Sequence, residues 1–130
     1  MSFDPSEVGA GTFPALLGIE VDAGEGEALG RLSLRPEHLA PNGYLHAGAV
    51  VALADTVCGF GCVASLPEGA NGFTTIELKT NFLATARDEV LTCRGRLVHG
   101  GRTTQVWDAT VENADGRTLA LFRCTQLLLR

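Results

Sequence analysis

The chain has 130 residues, 45% hydrophobic and 19% charged, the size and composition of one globular domain spanning 1–130. A net charge of −5 with no basic block argues against nucleic acid as a partner. The MSFDPSEV start has neither the basic end nor the apolar run of a secretory signal, so the four cysteines are expected as free thiols in a cytoplasmic, reducing setting.

Residues 1–12 are polar and Gly-rich, and flexibility is expected there. Residues 13–17 follow Thr12 and carry Pro14 in what would be a first helical turn, which predicts a short helix. From Ile19 the pattern changes to alternation. Ile19 and Val21 predict a strand, residues 22–26 a turn, and residues 28–35 a second strand with Leu32 and Leu34 on one face. The two make a hairpin, which Pro36 ends, and PEHLAPNGYL runs on as an irregular connection.

The stretch from His46 to about Leu66, HAGAVVALADTVCGFGCVASL, is apolar nearly throughout and has one charge, Asp55. At helical pitch Val50, Leu53, Val57, Phe60 and Ala64 share one side. Asp55 lies on the other, among Gly48, Val51, Ala52, Cys58, Gly59 and Cys62. A helix apolar on nearly every side is a buried helix. Its length approaches the ~20 residues of a membrane span. The mid-span carboxylate, the glycines and the lack of a basic flank argue against that, so no membrane partner is expected. Cys58 and Cys62 are four residues apart, but no His or second close pair completes a metal site, and no metal is expected.

Residues 67–72 make a turn-rich loop, and four strand-like stretches follow at about 73–83, 89–99, 102–113 and 118–129. Gly100–Gly101 and Asp115–Gly116 are the tight breaks between the last three. The order is strand, strand, long helix, four long strands. That predicts an α+β domain in which an antiparallel sheet of about six strands wraps one central helix. Val106 alternates with Trp107 and Val111, so apolar side chains fall on both faces there. The outer face around Trp107 is therefore expected to be covered by a further subunit, as in a tetramer.

The chemistry-bearing motif is Asn42-Gly43-x-x-His46-Ala47-Gly48, with Asp55 seven residues on. A Gly-bearing loop that ends where a buried helix begins leaves backbone N–H groups pointing out of the helix start, with the helix dipole behind them. Such groups stabilise a developing oxyanion. Asn42 can donate to a carbonyl or hold a water, and a desolvated Asp55 can act as base or nucleophile. Together they describe acyl transfer or hydrolysis. Ala47 and Asp55, eight residues apart on one helix, are separated by about 12 Å along its axis. A reacting carbonyl needs donor and attacking group each within roughly 3 Å. One chain cannot supply both, so two antiparallel copies are expected to share each site, the small Gly48, Ala52 and Gly59 allowing the approach.

A helix wrapped by a long sheet, with N-G-x-L-H-x-G leading into A-L-A-D-T, resembles the hotdog-fold acyl-CoA thioesterases. Within these it is most similar to the small enzymes of the phenylacetate-pathway and 4-hydroxybenzoyl-CoA type, over about residues 13–129. The resemblance implies hydrolysis of an acyl-CoA, with no cofactor beyond the CoA of the substrate. It implies Asp55 as the catalytic carboxylate and the Ala47 amide as the group polarising the thioester carbonyl. Asn42 and His46 would assist the carbonyl and the loop, and Thr75 would help to hold the water. One departure is that the usual His-Gly-Gly reads His46-Ala47-Gly48. That keeps the N–H and adds a methyl beside the thioester. Arg87, Arg94, Arg96, Arg102 and Arg123 are candidates for the CoA phosphates. Phe60, Phe73, Phe82 and Trp107 are candidates for an aryl pocket. The acyl group, aryl or medium-chain, stays open, as does the choice between a covalent anhydride and direct attack by water. A hotdog hydratase or dehydratase and a non-catalytic acyl-CoA sensor are the alternatives. The intact Asp55 and the lack of a spare segment for a DNA-binding unit argue against the sensor.

Overall fold

Alternating strands and one apolar helix give the expected order in a computed structural model that describes residues 10–130. The expectation for residues 1–9 lies outside them. A short helix α1 (Phe13–Leu17) stops at Gly18, whose φ of 82° few residues but glycine adopt. Strands β1 (Glu20–Gly24) and β2 (Glu27–Ser33) form the hairpin. A single 3-10 turn (Pro36–His38) interrupts the connection to α2 (Ala47–Ala64). Then come β3 (Gly72–Phe82), β4 (Val90–Gly100), β5 (Thr104–Glu112) and β6 (Thr118–Leu129). The six strands make one sheet in the order β1-β2-β4-β5-β6-β3, antiparallel at every step.

The sheet's inner face closes on α2 because period-two alternation puts Leu32, Leu91, Cys93, Trp107, Val111, Phe122 and Cys124 on one side. They meet Val50, Leu53, Val57 and Cys58 of the helix. Each large side chain so buried contributes about 1.5–3 kcal/mol. The helix approaches closely because β2 carries Gly30: a Cβ there would stand 2.2 Å from Val57 Cγ2. α2 is long and apolar enough to cross a membrane, but it is the core helix of this domain, with half of it buried inside the fold.

Trp107 corrects one expectation. It is fully buried beneath the helix, where a Cβ at Gly61 would come within 2.6 Å of its ring, and its indole N–H donates to Gln105. Trp107 therefore gives the outer face no apolar cover to explain, and it cannot line an open aryl pocket. At that place the outer face is charged: the Arg123 guanidinium makes a two-pronged bond to Asp108 at 2.5 and 2.8 Å. Gly59 is corrected too, since Phe73 of β3 covers it within the chain. Of the small residues beside Asp55, Gly48 and Ala52 remain open.

Candidate active site

The loop before α2 is braced before it reaches the helix. His38 is buried, with Nδ1 accepting the Arg35 N–H at 2.9 Å and Nε2 2.7 Å from the Leu17 carbonyl. Because Nδ1 accepts, the ring proton is on Nε2 and is donated to Leu17. The His38 carbonyl then takes the His46 N–H at 3.0 Å, and the Ala86 carbonyl takes that of Leu45 at 3.0 Å. His46 is thereby fixed in extended backbone (φ −69°, ψ 131°) as the N-cap of α2. Its Nδ1 accepts the Gly48 N–H at 2.7 Å.

That cap separates the roles in the motif. The Gly48 N–H is spent on His46, and a Cβ at Gly48 would stand 2.9 Å from His46 Nδ1, so this glycine makes room for the cap. The Ala49 and Val50 N–H groups both reach the His46 carbonyl. The exposed Ala47 N–H has no partner among the described residues, and it is the one donor at this helix start still free for a ligand oxygen. His46, accepting on Nδ1, keeps Nε2–H as a second donor. Asn42 is exposed in the loop before α2; its Oδ1 accepts the Tyr44 N–H at 3.1 Å, closing an Asx turn and leaving its amide N–H₂ for other partners.

The other group forms two turns along the helix. Asp55 is half-buried, and Thr75 Oγ1 of β3 lies 3.1 Å from its Oδ1. Burial raises the Asp55 carboxyl above the usual carboxylate range, and the Thr75 hydrogen bond opposes that rise. Thr75 is aimed by its strand. It pairs directly with Gln126 of β6, and the register slips between Thr75 and Glu77, so Ile76 is the extra residue of a β-bulge. Thr75 Oγ1 is also 2.7 Å from the fully buried Gln126 Oε1. Gln126 lies outside the motif, yet it had a signal in the sequence. Along β6 the inward positions Phe122, Cys124, Gln126 and Leu128 contain this one polar residue.

The thiols are not nucleophiles here. All four are free and buried. The hydrogen bond to Cys124, with burial, pushes the Cys58 thiol far up, and burial pushes Cys62 and Cys93 up to about 12. Among the described residues no three His, Cys, Asp or Glu are grouped as metal ligands would be. A pocket of about 260 Å³ opens at the start of α2, lined by Phe13, Leu17, Leu39, His46, Gly48 and Ala49 among others. A larger groove of about 650 Å³ lies along Lys79, Arg94, Arg96, Asp108 and Arg123 and contains none of the site residues. Arg96 and Arg123 are occupied there by Asp108. Arg87 lies instead over the Tyr44 ring at 4.1 Å, beside the loop into α2.

Residues 42–120 match the thioesterase superfamily. This chain belongs to that family. The hotdog fold accounts for its single helix on a six-stranded antiparallel sheet, and the protein is a thioester hydrolase. A 1,4-dihydroxy-2-naphthoyl-CoA hydrolase of Listeria monocytogenes is 31% identical over 84% of this chain and 89% of its own length. A thioesterase of Haemophilus influenzae superposes with a TM-score of 0.91 at 25% identity, covering 100% of this chain and 93% of that one. The PaaI protein from the phenylacetic acid degradation operon of E. coli superposes with a TM-score of 0.81 at 25% identity, over 90% and 83% of the two chains.

Proposed function

We propose that this thioesterase hydrolyses an acyl-CoA to free acid and CoA, at sites that each join two chains. The supporting observation is the free Ala47 N–H at the start of α2, with the half-buried Asp55 eight residues along the same helix. About 12 Å of axis separates them, and one thioester carbonyl cannot meet both within a single chain. The Ala47 N–H, assisted by His46 Nε2–H, would polarise the carbonyl of a thioester bound at one protomer. Asp55 of the other would attack that carbonyl or deprotonate the attacking water, with Thr75 orienting the carboxylate.

The sheet supports such an assembly. β3 ends the sheet order, pairs on one side only, with β6, and leaves Ile76, Leu78 and Phe82 exposed. A long edge strand of this kind is a template for another chain. Two copies paired there about a two-fold axis would bring Thr75 and Asp55 against the partner's helix start. A homotetramer would add a contact on the outer face, where Leu29, Leu121 and Leu127 stay exposed.

The acyl group would enter the pocket between Phe13, Leu17, Leu39 and Ala49, which suits an aryl or medium-length chain. The named relative acts on an aromatic acyl-CoA, in line with that reading. Arg87, beside the loop into α2, would hold a CoA phosphate. The buried, reduced thiols agree with a cytoplasmic setting. A panel of aromatic and straight-chain acyl-CoAs, with thiol release followed, tests the proposal. Turnover of at least one class is expected, and no release from any of them would refute it.

A further inference from the structure

Gln126 is 0% exposed and faces Thr75 across the β6–β3 ladder, and its far end reaches Cys124 Sγ at 3.5 Å. Burying a primary amide is costly unless it is fully bonded, and packing alone would be served by Leu or Met. The Thr75 hydroxyl has one proton and two neighbours, Asp55 Oδ1 at 3.1 Å and the Gln126 amide at 2.7 Å. If that proton goes to Gln126 Oε1, the threonine oxygen turns lone pairs toward an ionised Asp55. Amide oxygen and nitrogen have the same shape, so the surrounding bonds decide which end faces Thr75. With Asp55 ionised one arrangement gives each of the three contacts a donor and an acceptor. Gln126 Nε2 donates to Thr75 Oγ1, Thr75 donates to Asp55 Oδ1, and the Cys124 thiol donates to Gln126 Oε1.

We propose that Gln126 is a positioning residue of the active site, which through Thr75 keeps a hydrogen bond on Asp55 Oδ1 and leaves Oδ2 to face the reacting carbonyl or water. This rests on the role proposed for Asp55. The β-bulge at Ile76 and the direct Thr75–Gln126 pairing fix the geometry, so the relay is built into the backbone of two strands. Its effect has a direction: a donor held on the ionised form favours that form, against the rise that burial imposes.

Gln126→Met keeps the length and removes the amide. It should lower kcat about 10-fold or more with KM within about twofold, as expected for a misplaced reacting group. The acid limb of the kcat profile should move to higher pH by about one unit. In a Thr75→Val background the same substitution should change neither, because Gln126 acts only through that hydroxyl. A core residue would instead cost stability in both backgrounds and leave the pH profile in place. An unshifted acid limb, or an equal loss in the Thr75→Val background, overturns the proposal. The unsubstituted protein gives a second readout that needs neither substrate nor variant. In ¹⁵N and ¹³C NMR the Gln126 side-chain amide should titrate with the same midpoint as the Asp55 carboxyl carbon. A flat amide signal through that titration overturns the relay even if Gln126→Met fails to fold. Coupled signals in a protein without thioesterase turnover would instead keep the relay and refute the function.

Discussion

Ala47→Pro separates chemistry from folding at a single backbone atom. Proline is at home at the first position of a helix, where no intrahelical partner for its missing N–H is lost. Ala47 is that position, and its N–H is unbonded. The residue before a proline must be extended, and His46 already is, at φ −69° and ψ 131°. Neither the hydrogen bonding of Ala47 nor the conformation of His46 opposes the substitution, and the reduced freedom of the unfolded chain should stabilise the protein by about 0.4–1 kcal/mol. The oxyanion loses its backbone donor, a loss that elsewhere costs about 10²–10³ in kcat. The expected outcome is a Tm equal to or above that of the parent, with kcat on the best acyl-CoA reduced at least about 100-fold. Ala47→Gly, which keeps the N–H and removes the methyl, should retain full activity. Steady-state thiol release and a thermal melt on the same samples read both quantities. A folded Pro variant with parental kcat would refute the oxyanion assignment.

Asp55→Asn should lower kcat by at least about 10²-fold while the fold survives. Because burial raises the Asp55 carboxyl in the folded state, ionising it costs stability as pH climbs from the unfolded value through the raised one. The Asn variant should therefore melt no lower than the parent at pH 7, with any advantage vanishing on acidification to about pH 3, which urea titrations at the two pH values check. His46→Ala removes the helix cap and should cost about 1 kcal/mol in denaturant unfolding, whereas His46→Asn, a good cap, should recover most of it. Gly30→Ala drives a methyl into Val57 and should cost about 1–3 kcal/mol, less in a Val57→Ala background where the space exists, as a double-mutant cycle of unfolding would show.

The helix was legible because residues 47–64 form one long, nearly all-apolar run with a single charge. The strands were legible because alternating stretches lie between turn dipeptides, although bulges break the alternation in β3, β4 and β6. The motif His46-Ala47-Gly48 with Asp55 was legible because helix geometry converts spacing into distance. Alternation gave two faces at Trp107 but not which one is inner, since Val106 and Trp107 are both apolar. Only the pairing of β5 with β4 and β6 puts the indole under Gly61. The role of Gln126 depends on a contact across 51 residues of chain, which no local pattern contains. Asn42 has the residue type the chemistry asks for; its Oδ1 closes an Asx turn, which leaves the amide N–H₂ as the donor.

Subunit exchange tests whether Ala47 and Asp55 of different chains act on one carbonyl. Asp55→Asn and Ala47→Pro homodimers are each inactive on this account. After exchange, half the dimers are mixed and each mixed dimer has one intact site. About a quarter of parental activity should return in an equimolar, equilibrated mixture. No recovery, with exchange proven by mass spectrometry of the mixed dimers, would mean that both groups act within a single chain.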